Sequence, residues 1–477
     1  MFDTLLGTLL VLGYLLTWGL LPWVLLKKTV HPTAVVAWML SIIFLPYLGA
    51  ALCLIFGLNR VERHKAGRRA ARRQITERSP IAVRKSEQIF DGLPTSHQQL
   101  VHLLEGLIDM PLTWGNHIEV LPDKKIAFDR MEAIIREAEQ SLHVEFYIWR
   151  PDDTGHRLRD LLIERAQAGV EVRFIYDGVG SIQLGKKFLR PMREAGIHVA
   201  PFLPGRSFRE RWSINLRNHR KLILADGRRA MTGGLNVGDE YLGKAHFFGN
   251  LRDTQLDIRG PAVLQLQQMF IEDWYFSSGE DLTDDRYFPQ PQTDGDTVAH
   301  VIADGPDSDP NVFEMLVFAA INEAQEHITL SNPYFIPPAA LAMAIETAAR
   351  RGVQVRMIVA RDSTFPWTLM AGRSYYDPLL AAGVEIYEYQ TGLYHPKTLT
   401  IDGNWSLVGT MNFDNRSFAL NFEVGLAMYG SNIASQLEAH FEHDLEFAEQ
   451  IDPARWSQRS TWNRLSENFC RLFQPIL

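Results

Sequence analysis

The chain has 477 residues, of which 22% are charged and 46% hydrophobic, values that argue against a disordered chain or a fibrous repeat. At this length, two or three folded units are expected rather than one. Two cysteines, Cys53 and Cys470, are too few for a disulfide framework or a thiolate metal site, and the net charge of −8 argues against a protein whose whole surface binds nucleic acid.

The first sixty residues predict two transmembrane helices. Thr4–Leu26 and Thr33–Leu58 contain no Asp, Glu, Lys or Arg over 23 and 26 residues, and a bilayer crossing takes roughly 20. The turn between them, residues 27–32, holds two lysines and a proline, which end one helix and start the next. A cleaved signal peptide is not indicated, because no basic residue precedes the first segment and no small-residue cleavage site follows it. We therefore predict a membrane hairpin over residues 1–60.

A basic stretch follows the apolar segments. Arg60–Lys85 contains ten Lys or Arg residues against two acids, within a region, 61–120, that we interpret as a basic juxtamembrane linker. Basic residues next to a membrane span stay on the cytoplasmic side, so the bulk of the protein is expected inside the cell. The stretch either contacts anionic lipid headgroups or serves only as a topological anchor.

The remaining sequence is an internal repeat. Residues 166–175 recur as 349–358, and 194–199 recur as 381–386, and each copy has the pattern of a helix, a glycine C-cap and a buried strand. This alternation predicts an α/β fold with two similar domains. The predicted boundaries are 121–285 for the first domain, 286–297 for a proline-rich linker, 298–455 for the second domain and 456–477 for an amphipathic C-terminal tail.

Each half contains the pattern HxKxxxxD, followed by an asparagine at the same spacing. The residues are His219, Lys221, Asp226 and Asn236 in the first half, and His395, Lys397, Asp402 and Asn412 in the second. Residues two apart on a strand share a face, so each His and its Lys are expected to point together. Each Asp precedes a glycine and falls on the opposite face, so both are expected to be chiefly positional. Pro396 predicts an edge strand or an irregular strand in the second copy.

Two imidazoles and two ammonium groups at one site suit attack on a phosphodiester, whose oxygens need cations and proton transfer. One histidine would form a phosphohistidine, while the other would protonate the departing alcohol and deprotonate the incoming one. The candidate catalytic residues are therefore His219, Lys221, Asp226, His395, Lys397 and Asp402. Asn236 and Asn412 are candidates for binding the substrate phosphate. The sequence does not say which histidine is the nucleophile.

Two carboxylates follow the motifs at plausible strand positions. Asp253 and Glu423 lie 34 and 28 residues after the histidine of their own half. We predict that they orient the imidazoles, as aspartate does in a serine-protease triad. The alternative is that they form surface salt bridges.

These strings resemble the phospholipase D superfamily, whose HKD motif is HxKxxxxD, and more narrowly the bacterial cardiolipin synthases. The narrower resemblance includes residues 44–49, 146–149, 332–335 and 421–423 and covers nearly the whole chain. It implies two halves packed as a pseudo-twofold pair around one active site, with no metal or other cofactor. Pro396 departs from the Ser, Thr or Ala expected between His and Lys, which puts the local strand geometry in doubt.

The same resemblance implies the reaction and the location. One phosphatidylglycerol would donate its phosphatidyl group to a histidine, glycerol would leave, and a second phosphatidylglycerol would accept the group, giving cardiolipin. The enzyme would be a multi-pass protein of the bacterial inner membrane with its catalytic domains on the cytoplasmic side, and nucleic acid would not be a partner. The oligomeric state stays open.

Three other functions use the same motifs: a membrane phospholipase D with water as acceptor, a phospholipase D-type nuclease, and an inactive scaffold. The apolar spans and the acidic soluble part argue against the nuclease, and the two intact motifs argue against the scaffold. Sequence alone separates the hydrolase poorly from the transferase.

Two further segments have open interpretations. The first half has a basic and aromatic insert within residues 204–217, which either contacts lipid or is an ordinary solvated loop. The tail places Trp462, Leu465, Phe469 and Leu472 at helical spacing, which predicts an amphipathic helix. That helix either lies on the membrane surface or packs on the catalytic domain.

Overall fold

A computed structural model describes most of the chain: residues 2–26, 32–56, 60–78, 92–203, 216–244, 250–308, 311–363 and 365–476. The chain forms two compact units, a small one that ends at Ala66 and a large one that begins at Gly67. The turn at 27–31 and nearly all of the insert at 204–217 lie outside the described residues.

The small unit contains three apolar helices: α1 Phe2–Leu25, α2 Pro32–Phe44 and α3 Pro46–Phe56. The second apolar segment, expected as one helix, thus forms two. The break is at Pro46, since a proline has no amide hydrogen and is tolerated in the first turn of a helix but not in its interior. Within the described residues, no helix combines the length and the apolar character that a bilayer crossing requires.

The region predicted as a linker is structured where it is described. It contains α4 Arg60–Arg78, α5 Thr95–Glu105 and strand β1 Thr113–Leu121. In the large unit, Arg68, Ala71 and Ile75 of α4 are buried at helical spacing. Because β1 joins the main sheet, this sheet begins before the predicted domain start at residue 121.

The remaining helices of the described residues are α6 Lys124–Glu137, α7 Asp153–Gln167, α8 Lys186–Glu194, α9 Pro261–Ser278, α10 Val312–Glu323, α11 Ala339–Arg350, α12 Pro366–Arg373, α13 Tyr376–Ala382, α14 Asn415–Ala419, α15 Ser431–Leu445, α16 Pro453–Ser457 and α17 Thr461–Arg471. The strands of the first half are β2 Ser141–Phe146, β3 Glu171–Asp177, β4 His198–Phe202, β5 Arg217–Asn218, β6 Lys221–Ala225, β7 Arg229–Gly233, β8 Leu251–Arg252 and β9 Gln255–Arg259. Those of the second half are β10 Thr297–Asp304, β11 His327–Asn332, β12 Phe335–Ile336, β13 Gln354–Ala360, β14 Glu385–Tyr389, β15 Leu393–Tyr394, β16 Thr398–Ile401, β17 Trp405–Gly409, β18 Phe413–Asp414, β19 Asn421–Tyr429 and β20 Ala448–Gln450.

One continuous sheet runs through both halves in the order β20-β14-β13-β11-β16-β17-β19-β10-β1-β9-β7-β6-β2-β3-β4. The two sides of this order mirror each other, since β2, β3, β4, β6 and β7 correspond to β11, β13, β14, β16 and β17. The halves meet where β1 and β10 pair in antiparallel fashion. The predicted α/β fold with a two-domain repeat is therefore confirmed. The predicted linker lies just before β10, and the residues on either side of it belong to the same compact unit.

The central strands carry almost no exposed residue. Every position of β2, β6 and β19 is buried, as expected for strands covered by helices on both faces. The HxKxxxxD motifs run along β6 and β16, so the fold places them in the interior of the sheet. Pro396 stands just before β16, which starts at Thr398 rather than at the motif lysine; the strand is irregular there, but it is not an edge strand, because it lies between β11 and β17.

Candidate active site

The backbone holds each motif histidine against a strand of the opposite half. β5, which ends just before His219, pairs in parallel with β19 of the second half, and the amide of His219 donates to the carbonyl of Phe422 at 2.9 Å. In the same way β15, which ends just before His395, pairs with β8 of the first half, and the amide of His395 donates to the carbonyl of Arg252 at 2.8 Å. The strand before each histidine thus pairs with a strand of the other half, which brings the two histidines to one site.

Each imidazole also pairs with a carboxylate of the opposite half. Nδ1 of His219 lies 2.9 Å from both carboxylate oxygens of Glu423, and Nδ1 of His395 lies 2.7 Å from Oδ2 of Asp253. Both carboxylates are buried, so they do not form surface salt bridges. Spacing along the sequence associates each carboxylate with the histidine of its own half, whereas the structure pairs it with the histidine of the other.

The Glu423 contact fixes the tautomer of His219. In His395 the contact with Asp253, at 2.7 Å against 3.0 Å for Nζ of Lys397, favours the same tautomer. An ionised carboxylate only accepts hydrogen bonds, so Nδ1 of each ring carries the hydrogen and Nε2 carries the lone pair. The Glu423 carboxylate is itself held by the hydroxyl of Thr410 at 2.5 Å and by Nδ2 of Asn421 at 3.1 Å. A neutral ring with a lone pair on Nε2 is the form in which histidine attacks phosphorus.

Burial sets the charge of these groups. Desolvation lowers the pKa of His219 and of His395 to about 4, so both rings are neutral at neutral pH. Burial alone would raise the pKa of Glu423, but the interactions with His219 and Lys221 outweigh it and lower that pKa to about 2. Glu423 is therefore ionised beside a neutral His219 and stabilises a proton on that ring.

The motif lysines lie beside their histidines, as the strand periodicity predicts. Nζ of Lys221 donates to the carbonyl of His219 at 2.5 Å, and Nζ of Lys397 donates to the carbonyl of His395 at 2.7 Å. The ring of Tyr147 packs edge-on against His219, at 4.8 Å between centroids, and lies 5.4 Å from Nζ of Lys221. Desolvation lowers the pKa of Lys221 to about 7 and that of Lys397 to about 8.

We expect these lysines to produce an alkaline limb in the pH profile. A lysine whose pKa is lowered loses its positive charge at a lower pH, so kcat/KM should fall as the pH rises through about 7 to 8. The measurement is kcat/KM for the phosphodiester substrate between pH 5 and 9. Lys221→Arg replaces the lysine of lower pKa with a group that stays charged, so it should move the limb upward, toward the pKa of Lys397 of about 8. A wild-type profile that stays flat to pH 9 would contradict this assignment.

The motif aspartates, placed by the sequence in the catalytic set, lie at the far ends of their strands. Asp226 follows the last residue of β6, five positions and about 16 Å along the strand from Lys221. Its carboxylate accepts from the amides of residues 139–141 at 2.7 to 2.9 Å, and Asp402 accepts from those of residues 325–327 at 2.8 to 2.9 Å. Both aspartates have positive φ, 55° and 50°. They anchor the starts of β2 and β11, and we propose that Asp226 and Asp402 act by holding the fold rather than in the chemical step.

We therefore expect Asp226→Ala to lower stability rather than the chemical rate. Three amides would lose their acceptor and alanine would sit at a left-handed φ, which together cost about 1–3 kcal/mol of unfolding free energy. The thermal midpoint should fall while kcat stays within about threefold. Asp226→Asn, which tolerates this φ and keeps one acceptor oxygen, is the matched control and should fall less. A loss of kcat in a variant that is folded at the assay temperature would return Asp226 to the catalytic set.

The two candidate phosphate-binding asparagines differ in their surroundings. Asn236 accepts from the amide of Ile148 at 3.1 Å and donates to the hydroxyl of Tyr241 at 2.9 Å, so the protein engages both ends of its side chain. Asn412 has a buried side-chain oxygen with no hydrogen-bond partner among the described residues. Asn412 is thus the freer of the two to meet a substrate, and phosphate binding by this pair stays a prediction.

A buried charge network, which the sequence analysis missed, supports the site from behind. Arg220, between the motif His and Lys, donates from Nε to the carbonyl of Glu423 at 3.1 Å and pairs through Nη1 with Asp273 of α9. Asp273 also pairs with Arg68 of α4 at 2.7 Å. No motif marks Arg68 or Asp273, and the only signal was the occurrence of charged residues within helix patterns. The network fixes the backbone of β19 next to the carboxylate that holds His219.

The fold and the site together define a phospholipase D-like protein. Among solved structures, the fold is similar to phosphatidylserine synthase from Haemophilus influenzae Rd KW20, with a TM-score of 0.60 over 80% of this chain and 100% of that one; at 14% identity this likeness concerns the fold alone. A family model described as "Cardiolipin synthase, PLD-like domain" matches residues 131–274 and 317–445, which contain both motifs.

Relatives that match over nearly the whole chain identify the family within this class. The chain is 37% identical over 454 residues to a cardiolipin synthase of Alkalihalophilus pseudofirmus, covering 94% of this chain and 90% of that protein. It is 35% identical over 476 residues to a cardiolipin synthase of Oceanobacillus iheyensis, covering 98% of this chain and 99% of that protein. The chain belongs to the family of bacterial cardiolipin synthases.

Proposed function

We propose that this protein is a phosphatidyltransferase that makes cardiolipin and glycerol from two molecules of phosphatidylglycerol. The observation that carries the proposal is the pair of crossed contacts, His219 with Glu423 and His395 with Asp253, which gives one site two equivalent imidazoles. A transfer reaction in two steps needs one ring as nucleophile and the other as acid and then base.

In the first step, Nε2 of one histidine attacks the phosphorus of phosphatidylglycerol. The P–N bond forms as the bond to the glycerol oxygen breaks, and the second histidine delivers a proton to that oxygen. The second ring is neutral in the free site, and the negative phosphodiester and the carboxylate behind the ring both favour its protonated form once substrate binds. Lys221 and Lys397 balance the charge on the non-bridging oxygens.

In the second step, glycerol has left and a second phosphatidylglycerol offers its terminal hydroxyl. The second histidine, now neutral, takes the proton of that hydroxyl while the oxygen attacks phosphorus. The P–N bond breaks, the first histidine is regenerated and cardiolipin is the product. Water in place of the second lipid would give phosphatidic acid. The identity of the acceptor, lipid or water, therefore distinguishes a transferase from a hydrolase.

Product analysis tests the proposal. Purified full-length protein is incubated with phosphatidylglycerol labelled in its acyl chains and in its headgroup glycerol, and the products are separated by thin-layer chromatography. Equal amounts of cardiolipin and free glycerol are expected, and the double variant His219→Ala/His395→Ala should give neither. Phosphatidic acid as the sole lipid product would show a hydrolase instead.

We propose further that the apolar segments 4–26 and 33–58 hold the enzyme in the membrane, with both catalytic halves on the cytoplasmic side. Their length and the basic stretch after them support this topology. The outward exposure of Tyr14, Leu15 and Trp18 on α1 also supports it, because such side chains suit a lipid environment. Fusions report the topology: alkaline phosphatase inserted after residue 30 should be active and green fluorescent protein at the C-terminus should fluoresce. The opposite pair of results would contradict it.

A further inference from the structure

The C-terminal helix α17 turns its apolar face toward solvent. Trp462, Leu465, Phe469 and Leu472 follow one another at steps of 3, 4 and 3 residues, which places them on one side of the helix. All four are between 54% and 80% exposed. An amphipathic helix of a globular protein normally presents this side to its own core, so the orientation of α17 is reversed.

The opposite, polar side attaches α17 to the second half. Glu467 is buried and accepts from Nε of Arg459 at 3.0 Å, while the same guanidinium donates to both oxygens of Asp377 at 2.8 and 2.9 Å. The buried pair of Glu467 and Arg459 fixes the rotation of the helix, because turning the apolar face inward would separate this carboxylate from its guanidinium partner. The outward apolar face is therefore imposed by the packing.

Helix α12 extends this face. This helix packs against α17, where Sγ of Cys470 lies 3.9 Å from Sδ of Met370, and Trp367 of α12 and Phe365 just before it are also exposed. We call the combined patch the tail surface; it consists of Phe365, Trp367, Met370, Trp462, Leu465, Phe469, Leu472 and Phe473. A contiguous exposed patch of this kind marks an interaction site.

The composition of the tail surface fits a phospholipid bilayer. Tryptophan and phenylalanine suit the boundary between headgroups and acyl chains. From Pro453 to the C-terminus the sequence has four arginines against a single glutamate, Glu467, and that glutamate is buried. Arg464 is exposed on the same helix, where it complements anionic headgroups, whereas the guanidinium of Arg471 stacks 4.4 Å from the ring of Tyr375.

The tail surface also adjoins the part of the second half that leads to the active site. Nε2 of Gln474 donates to the carbonyl of Pro337 at 3.1 Å, and the turn at the end of the tail packs on α14. α14 begins directly after β18, which itself follows Asn412. The end of the tail is thus joined through α14 and β18 to the segment that carries Asn412.

We propose that the tail surface is a membrane-docking surface, which seats the second half on the bilayer that supplies the lipid substrate. The choice of a lipid partner rests on the proposed function. This contact is separate from the apolar N-terminal segments, since it belongs to the catalytic unit itself. It acts as an interfacial contact and does not cross the membrane.

Depth-dependent quenching tests the contact in the full-length protein. In a Cys470→Ser background, where the remaining Cys53 is buried, an environment-sensitive fluorophore is placed at Leu465→Cys or, as a control, at Ile182→Cys in the first half; Leu465 is 54% exposed and Ile182 is 70% exposed. The protein is reconstituted into phosphatidylglycerol-containing vesicles with or without brominated acyl chains. Emission at position 465 should fall at least about twofold in brominated lipid, and emission at position 182 should not. No quenching at position 465 overturns the proposal.

Turnover of vesicle-bound and of detergent-dispersed substrate tests whether docking gives the enzyme access to lipid in a bilayer. W462S/L465S/L472S should lower turnover of vesicle phosphatidylglycerol by about tenfold and leave turnover of detergent-dispersed short-chain phosphatidylglycerol within about twofold. W114S/I126S/I182S removes one exposed tryptophan and two exposed aliphatic residues elsewhere and should change neither rate. Equal loss on both substrates by the tail variant, at an unchanged thermal midpoint, would overturn the proposal.

Two further outcomes are distinguishable. Conversion of a dimer to a monomer by the tail variant would show that a second copy covers the surface, and would overturn membrane docking. Quenching at position 465 in a protein that makes no cardiolipin would leave docking in place and reject the proposed function.

Discussion

Replacing either His219 or His395 with alanine is expected to lower turnover by about 10⁴-fold or more. Each ring sits at the same buried site, and loss of the nucleophile removes the covalent step while loss of the other ring removes proton transfer in both steps. Because each histidine is contributed by a different half and held by a carboxylate of the other, neither half retains a complete site. Steady-state assays of the two single variants and the double variant check this.

The control is His117→Ala, which removes an exposed histidine of β1 and should be fully active. The single variants should be nearly as inactive as the double variant, since the two rings act as one unit. Retention of more than about a tenth of the wild-type rate by either single variant would contradict a site shared between the halves.

Glu423→Gln and Asp253→Asn are expected to lower kcat by about 10³- to 10⁴-fold while leaving the fold intact. An amide can donate to Nδ1 as well as accept from it, so the ring is no longer fixed with its lone pair on Nε2, and the charge that stabilises the imidazolium is lost. The readout that separates this role from a structural one is the nitrogen NMR spectrum of the histidines. Glu423→Gln should perturb His219 and leave His395 nearly unchanged, and Asp253→Asn should do the reverse.

Asp226→Asn is the matched control for these amide substitutions, because it makes the same change at a carboxylate that binds backbone amides rather than an imidazole. It should leave both histidine spectra unchanged. Perturbation of His395 by Glu423→Gln, with His219 unaffected, would show that the pairs lie within each half after all.

The sequence predicts the general form of the site because the motif residues of each half lie close together along the chain. Two equal HxKxxxxD strings, each at the same point of an α/β repeat, indicate a two-part site, and the period of a strand places each histidine beside its lysine. The same period and the glycine after Asp226 predict the positional role of that aspartate. These inferences depend on residues that are near in sequence.

The pairing of each histidine with a carboxylate of the other half could not be predicted from the sequence, because it depends on how the two halves pack together. The spacing from His219 to Asp253 and from His395 to Glu423 is similar, and nothing local tells a pair within one half from a pair across halves. The position of β1 was missed for a related reason, since its partners are β9 and β10, far along the chain. The reversed orientation of α17 likewise follows from the ion pairs of Arg459, which the helical pattern alone does not reveal.

The central claim is that both halves build one transfer site, and trapping the covalent intermediate tests it most directly. Phosphatidylglycerol labelled at phosphorus is mixed with an equal amount of full-length protein, quenched within one turnover under alkaline conditions that preserve phosphohistidine, and mapped by mass spectrometry. We predict that at most one phosphatidyl group is bound per chain, on one of His219 and His395, and that an excess of phosphatidylglycerol chases it into cardiolipin. Label on both histidines of the same chain, or label that only water removes, would contradict the account.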